Sequence, residues 1–204
     1  MTACKRSALV ALASLCAILF APWAIARGVR TAQANPMTVE VDATDVERRI
    51  FRVRLTMPAR PGRLSLHYPQ WIPGKHAVFG PIEQVAGLRF RAAGQELPWR
   101  RDPRDVYRFD VTVPAGASQL EVEFQLATPQ AAGTGQNARI VASPRLLNLQ
   151  WNQVVLYPAG RAAMDVPVRA SVRLPVGWRQ ASALVVEPGG GDAGLVRFET
   201  VPLE

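Results

Sequence analysis

Residues 107–126 read Tyr107-Arg108-Phe109-Asp110-Val111-Thr112-Val113-Pro114-Ala115-Gly116-Ala117-Ser118-Gln119-Leu120-Glu121-Val122-Glu123-Phe124-Gln125-Leu126. Tyr107, Phe109, Val111 and Val113 alternate with Arg108, Asp110 and Thr112. After a break, Leu120, Val122, Phe124 and Leu126 alternate with Glu121, Glu123 and Gln125. Successive side chains of a strand point to opposite faces, so this period predicts two half-buried strands, apolar on one side and wet on the other. A helix would space its apolar positions three and four apart. Pro114-Ala115-Gly116 reads as a tight turn, and the two strands are expected to form a hairpin across it.

The same period extends outward along the chain. Phe51, Val53, Leu55 and Met57 alternate with Arg52, Arg54 and Thr56, and Val168, Ala170, Val172 and Leu174 with Arg169, Ser171 and Arg173. Further strands are expected at 37–43, 63–68, 86–92, 146–156, 182–186 and 195–199. Residues 130–142 lack any period and read as a loop. With 15 glycines and 17 prolines, turns are plentiful, and hydrophobic residues at 49% are enough for a core. No long amphipathic helix, internal repeat or linker interrupts residues 36–204. The fold class expected is all-β, an antiparallel β-sandwich forming one domain over 36–204.

The N-terminus has a different character. Lys5 and Arg6 precede an uncharged apolar run from Ala8 to Phe20, and Ala24-Ile25-Ala26 supplies the small-x-small pattern of a cleavage site. This is the pattern of a signal peptide over 1–26, followed by a flexible lead-in at 27–35. A second cleavage point follows Ala34. The run is too short to span a bilayer core of about 30 Å as a helix, so no transmembrane segment is expected after cleavage. The chain is expected to be exported, to the periplasm or beyond. Both cysteines, Cys4 and Cys16, leave with the signal. The remainder can form no disulfide and no thiolate metal site.

The whole chain carries a formal charge of +8. Such a balance weakly favours acidic partners or surfaces, and an exported chain is not expected to meet nucleic acid. Gly189-Gly190-Gly191-Asp192-Ala193-Gly194 formally matches a dinucleotide fingerprint. However, Leu195–Glu199 after it reads as a strand where that motif needs a helix, so it reads as a hairpin loop. Two histidines, His67 and His76, are too few for a three-ligand zinc site, and H-E-x-x-H is absent. The G-x-S-x-G elbow is absent too. Trp99-Arg100-Arg101-Asp102-Pro103-Arg104-Asp105 reads as a charged loop entering a strand. Trp71, Trp99, Trp151 and Trp178 could stack on a sugar, or else plug the edge of the core. Tyr68-Pro69-Gln70-Trp71-Ile72-Pro73-Gly74-Lys75-His76, ending in Phe79-Gly80-Pro81-Ile82, is longer and stiffer than a sandwich turn needs. It is the loop best suited to present a surface.

Trp71-Ile72-Pro73-Gly74, His76 and Gly80-Pro81-Ile82 resemble the N-terminal domain of the M61 peptidases, the glycyl aminopeptidase family. Matches continue in order: Gly87-Leu88, Trp99 with Arg101-Asp102, Val106-Tyr107 and Val113-Pro114-Ala115-Gly116-Ala117. Then come Leu149-Gln150-Trp151-Asn152-Gln153-Val154, Leu156-Tyr157-Pro158-Ala159-Gly160 and Leu174-Pro175-Val176-Gly177-Trp178. The resemblance spans about 36–204. It implies a secreted zinc aminopeptidase in three parts: this β-sandwich, a catalytic domain with H-E-x-x-H and a PDZ-like domain. Only the first part matches. No zinc ligand or catalytic glutamate of the family has a counterpart here, so none is carried over, and the chain is expected to be inactive alone and to hold no cofactor of its own. Lys75 and Ala77-Val78-Phe79 depart from the family pattern, which alters the polarity of the loop.

The resemblance thus implies a non-catalytic domain that packs on a catalytic domain and helps wall its substrate cleft, with contact to peptide substrate. Trp71, Pro73, Gly74, Lys75 and His76 are the candidate cleft or domain-interface residues. The alternative is a stand-alone secreted module that binds glycan or protein.

Overall fold

The computed structural model describes residues 35–71, 76–128, 142–192 and 194–204. The signal peptide at 1–26, nearly all of the lead-in and residues 130–141 of the expected loop lie outside the described residues. Those described belong to one compact unit, 33–204.

Alternation becomes sheet wherever it was read over a long stretch. β1 (Met37–Asp42) buries Met37, Val39 and Val41, and β2 (Ile50–Pro58) buries Phe51, Val53, Leu55 and Met57. β3 (Gly62–His67), β4 (Val85–Ala92), β5 (Gln95–Leu97) and β6 (Trp99–Arg101) follow. β7 (Arg108–Val113) buries Phe109, Val111 and Val113, and β8 (Gln119–Ala127) buries Leu120, Val122, Phe124 and Leu126. After β9 (Tyr157–Pro158) come β10 (Pro167–Arg173), β11 (Val186–Asp192), β12 (Leu195–Phe198) and β13 (Val201–Pro202). Apart from strands, the described residues form three 3-10 turns, at Ile82–Gln84, Trp151–Gln153 and Ala163–Asp165.

Two sheets face each other. A nine-stranded sheet has the order β11-β12-β10-β1-β2-β8-β4-β5, with β13 also pairing β10, and a four-stranded sheet has the order β6-β7-β3-β9. The all-β sandwich is therefore as expected. Between the sheets lie Leu55, Leu66, Phe90, Phe109, Leu120, Val122 and Leu126, each 0% exposed. Burying one such side chain is worth roughly 1.5–3 kcal/mol, so the interior apolar rows are what hold the sheets together. Among the described residues no buried side-chain nitrogen or oxygen lacks a partner.

The structure corrects the expected hairpin. β7 pairs β3 and β6, whereas β8 pairs β2 and β4. The turn at 114–117, closed by Ala117 N–H donating to the Pro114 carbonyl (3.3 Å), carries the chain from one sheet to the other. Half-buried alternation reads the same whether the next strand lies beside or opposite. Pairing also departs from a purely antiparallel scheme at one place, where β1 runs parallel to β10, with Val39 opposite Ala170. These strands are far apart in sequence, which gives room for the crossover that parallel neighbours require.

Three further segments differ. Residues 146–156 are not a strand: Leu147 makes one bridge to Ala142, and Trp151–Gln153 is a 3-10 turn. Val154, Val155 and Leu156 are buried in the core, and Leu147, Leu149 and Trp151 pack against it. The expected strand at 182–186 instead starts at Val186 and runs through the glycines to Asp192, paired with β12 across a register shift between Val186 and Gly191. The glycines make that irregularity possible, because a Cβ on Gly190 would sit 2.7 Å from the Glu187 carbonyl oxygen. Trp99–Arg101, read as part of a charged loop, pairs with β7 as an edge strand. Three residues are too few for a period to declare itself.

Candidate functional site

β3 ends at His67, and the chain then leaves the sheet. Tyr68 N–H donates to the Tyr107 carbonyl (2.9 Å), and its ring is buried against the core. The Tyr68 hydroxyl donates to the Gln153 carbonyl at 2.8 Å, and burial pushes that phenol well above its ordinary pKa. Ten residues further on, the chain returns. Phe79 N–H and Gly80 N–H both donate to the Gln70 carbonyl (3.2 Å each), and the Tyr107 hydroxyl donates to the Gly80 carbonyl (3.0 Å). The Tyr68 and Tyr107 rings stack at 6.5 Å. Gly80 is packed so closely that a Cβ there would overlap the Pro69 carbonyl oxygen and lie 3.1 Å from Tyr107 Cε1. Glycine is required here by space, not by backbone angle.

The loop therefore has a pinned base at Gln70 and Gly80 and an apolar rim. Trp71 is 62% exposed, Val78 41% and Phe79 38%, and His76 is exposed as well. Pro73, Gly74 and Lys75 lie outside the described residues. Trp71 and His76 flank those residues in the chain, and both are exposed. Tyr107 and Gln153, which pin the base, fall within the matching segments Val106-Tyr107 and Leu149–Val154, but nothing in those segments indicates that they meet this loop.

The tryptophans do not gather into one platform. Trp99 packs between Phe90 and Phe109 (ring centroids 6.0 and 5.6 Å), and Arg101 lies over the Phe109 ring at 5.1 Å. Trp151 meets Phe198 edge-on at 5.6 Å. Trp151 and Trp178 share a hollow of about 910 Å³ with Leu146, Leu149 and Phe198, while Trp71 stands on the loop. Leu146 and Val176 are exposed nearby in sequence to these tryptophans.

Asp102 closes the turn before β7 by accepting from the N–H groups of Arg104 (2.8 Å) and Asp105 (3.1 Å), which lower its pKa. On β3 and β7, the Asp110 carboxylate accepts from the Ser65 hydroxyl (2.5 Å) and Arg108 Nε (3.1 Å), and its pKa is lowered by both. His67 Nε2 is 3.9 Å from Asp105 and its ring is edge-on to Tyr157. Among the described residues, no group of three His, Cys, Asp or Glu is placed to hold a metal ion, so they do not fit a zinc site. Nor is any helix among them long and apolar enough to cross a membrane.

Comparison with solved structures finds a similar fold in an aminopeptidase N family protein from Idiomarina loihiensis. The identity is 18%, with 82% of this chain and 28% of that one covered, at a TM-score of 0.62. An M1 zinc metallopeptidase from Deinococcus radiodurans matches at 13% identity over 83% of this chain and 38% of that one, with a TM-score of 0.44. The chain thus spans well under half the length of either. No curated protein matches it. A comparison with protein families matches residues 38–204 to the Peptidase M61 N-terminal domain. By that match, which takes in both sheets and the pinned loop, the chain belongs to the peptidase M61 N-terminal domain family.

Proposed function

We propose that the chain is the non-catalytic N-terminal domain of an exported M61-like zinc aminopeptidase, packing on the catalytic domain and helping to wall its substrate cleft. Family membership supports the domain assignment. The observation that carries the packing role is the apolar rim of Trp71, Val78 and Phe79 on a base fixed by Gln70, Gly80 and Tyr107. Apolar side chains held out on a stiff support favour a partner surface, because exposing them to water is unfavourable and ordering them costs little more entropy. The zinc and the general base belong to the catalytic domain, and a PDZ-like domain completes the enzyme. This chain contributes shape, exclusion of water and contacts to the peptide. Export rests on Lys5, Arg6, the apolar run and the Ala24-Ile25-Ala26 site.

The test mixes the purified chain with an M61 catalytic domain from the same genome and follows association by calorimetry and aminopeptidase activity. Association is expected, with Trp71→Ala weakening it about 30-fold if the tryptophan is an interface anchor worth about 2 kcal/mol. No association, or equal affinity for the variant, counts against the reading. Chelator-sensitive hydrolysis by the chain alone would overturn its non-catalytic assignment. The competing reading, a glycan- or protein-binding module acting alone, predicts glycan retention that is lost in Trp71→Ala and Trp99→Ala, without any association with the catalytic domain.

A further inference from the structure

The outer face of the nine-stranded sheet carries charge that the described chain leaves partly unused. The register places its side chains in rows. One row crosses six strands: Arg197 on β12, Ser171 on β10, Glu40 on β1, Arg54 on β2, Glu123 on β8 and Arg89 on β4. The next row sets Arg173 beside Asp42 and Arg52. These side chains line one hollow of about 660 Å³, which holds five arginines against three carboxylates.

Part of that charge is already spent. Arg54 pairs with Glu123 at 2.6 Å, and Arg52 turns to Asp45 at 2.8 Å. Asp42 accepts from the N–H and hydroxyl of Thr44. Arg89, Arg173 and Arg197 are exposed, and among the described residues none has a carboxylate within ion-pair distance. Arg173 and Arg197 stand at one end of the hollow and Arg89 at the other. Between Arg197 and Arg89 lie five strand steps, about 24 Å at about 4.8 Å each. An extended peptide covers that distance with about seven residues.

We propose that this hollow docks an extended acidic polypeptide segment, laid across the strands with carboxylates at both ends. Charge complementarity selects that occupant. Each free guanidinium can take a carboxylate in a two-pronged hydrogen bond. Glu40, at the middle of the same row and in no ion pair among the described residues, repels a continuous polyanion, so a nucleic acid or an anionic membrane meets like charge where a peptide can present neutral residues. The proposal is independent of the domain-packing role, since it uses the sheet face and none of the loop.

The probe is a fluorescein-labelled octapeptide with two glutamates at each end and Ser-Gly-Ser-Gly between, titrated with the full chain at low salt and followed by anisotropy. Saturable binding is expected, weakening as salt screens the pairs. Arg89→Gln and the pair Arg173→Gln/Arg197→Gln should each weaken it at least about 10-fold, the loss of roughly one charge-assisted contact. Arg63→Gln, on the outer face of the other sheet, should leave it unchanged, and unaltered melting should show that all variants fold. The proposal is overturned if the peptide fails to bind, if the three-site variant binds as well as the parent, or if Arg63→Gln weakens binding equally. Equal binding of the matching lysine peptide overturns it too, as does binding only to phosphatidylglycerol vesicles or a single-stranded oligonucleotide.

Discussion

Replacing Gly80 by alanine should loosen the loop base while leaving both sheets intact. The added Cβ would overlap the Pro69 carbonyl oxygen and lie 3.1 Å from Tyr107 Cε1. Neither neighbour can yield cheaply: one is backbone, and the other is a ring stacked on buried Tyr68 and tied by its hydroxyl to the Gly80 carbonyl. Forcing extra volume into such a site costs about 1–3 kcal/mol. If relief also breaks the Tyr107–Gly80 hydrogen bond, about 1 kcal/mol more is lost. A total of about 3 kcal/mol corresponds to a fall in Tm of roughly 6–12 °C for a domain of this size. Thermal unfolding by circular dichroism measures this, and limited proteolysis between Trp71 and Phe79 should speed up in the folded variant. A Tm within about 2 °C of the parent, with unchanged cleavage, would show that the loop is not pinned at Gly80 and would refute the packing argument.

Tyr107→Phe should lose only the hydrogen bond to Gly80, about 1 kcal/mol, and so fall between the parent and Gly80→Ala in urea unfolding. Gly116→Ala should cost about 1–2 kcal/mol, because Gly116 sits at φ 83° in the turn that links the sheets, with open space around it. All three tyrosines, Tyr68, Tyr107 and Tyr157, have pKa values raised first by burial. A raised pKa stabilises the fold below the unfolded value near 10 and loses that stability as pH climbs through the folded value. Tyrosinate absorbance at 295 nm should therefore lag that of the urea-unfolded chain above pH 10, and coincident curves would disprove it. Asp110 is shifted the other way by Ser65 and Arg108, so its stabilisation holds above the unfolded pKa near 3.8 and is lost as pH falls through the folded value. Asp110→Asn should flatten the acid limb of the stability profile, as followed by urea midpoints from pH 5 to 2.

Alternation alone declares the all-β class and the strands that bury one face, because a side chain's sidedness is local and repeats every two residues. Phe51 to Met57, Phe109 to Val113 and Leu120 to Leu126 each declare their inner face without reference to any neighbour. The chain's departure from the sheet after Tyr68 and its return at Gly80 were legible too, through the prolines and glycines of this stretch. Strand partnership was not. Periodicity says which side is dry but not which strand lies beside, so only the tertiary structure turned Pro114-Ala115-Gly116 from a hairpin bend into a passage between sheets. Only the tertiary structure, likewise, laid β1 parallel to β10 and gave the glycines at 189–191 a paired edge strand. The loop's base was hidden for the same reason. Gln70, Gly80, Tyr107 and Gln153 are separated by up to 83 positions in the chain, and the ties from Tyr107 to Gly80 and from Tyr68 to Gln153 form only once β3 has paired with β7 and the 151–153 turn has come beside Tyr68.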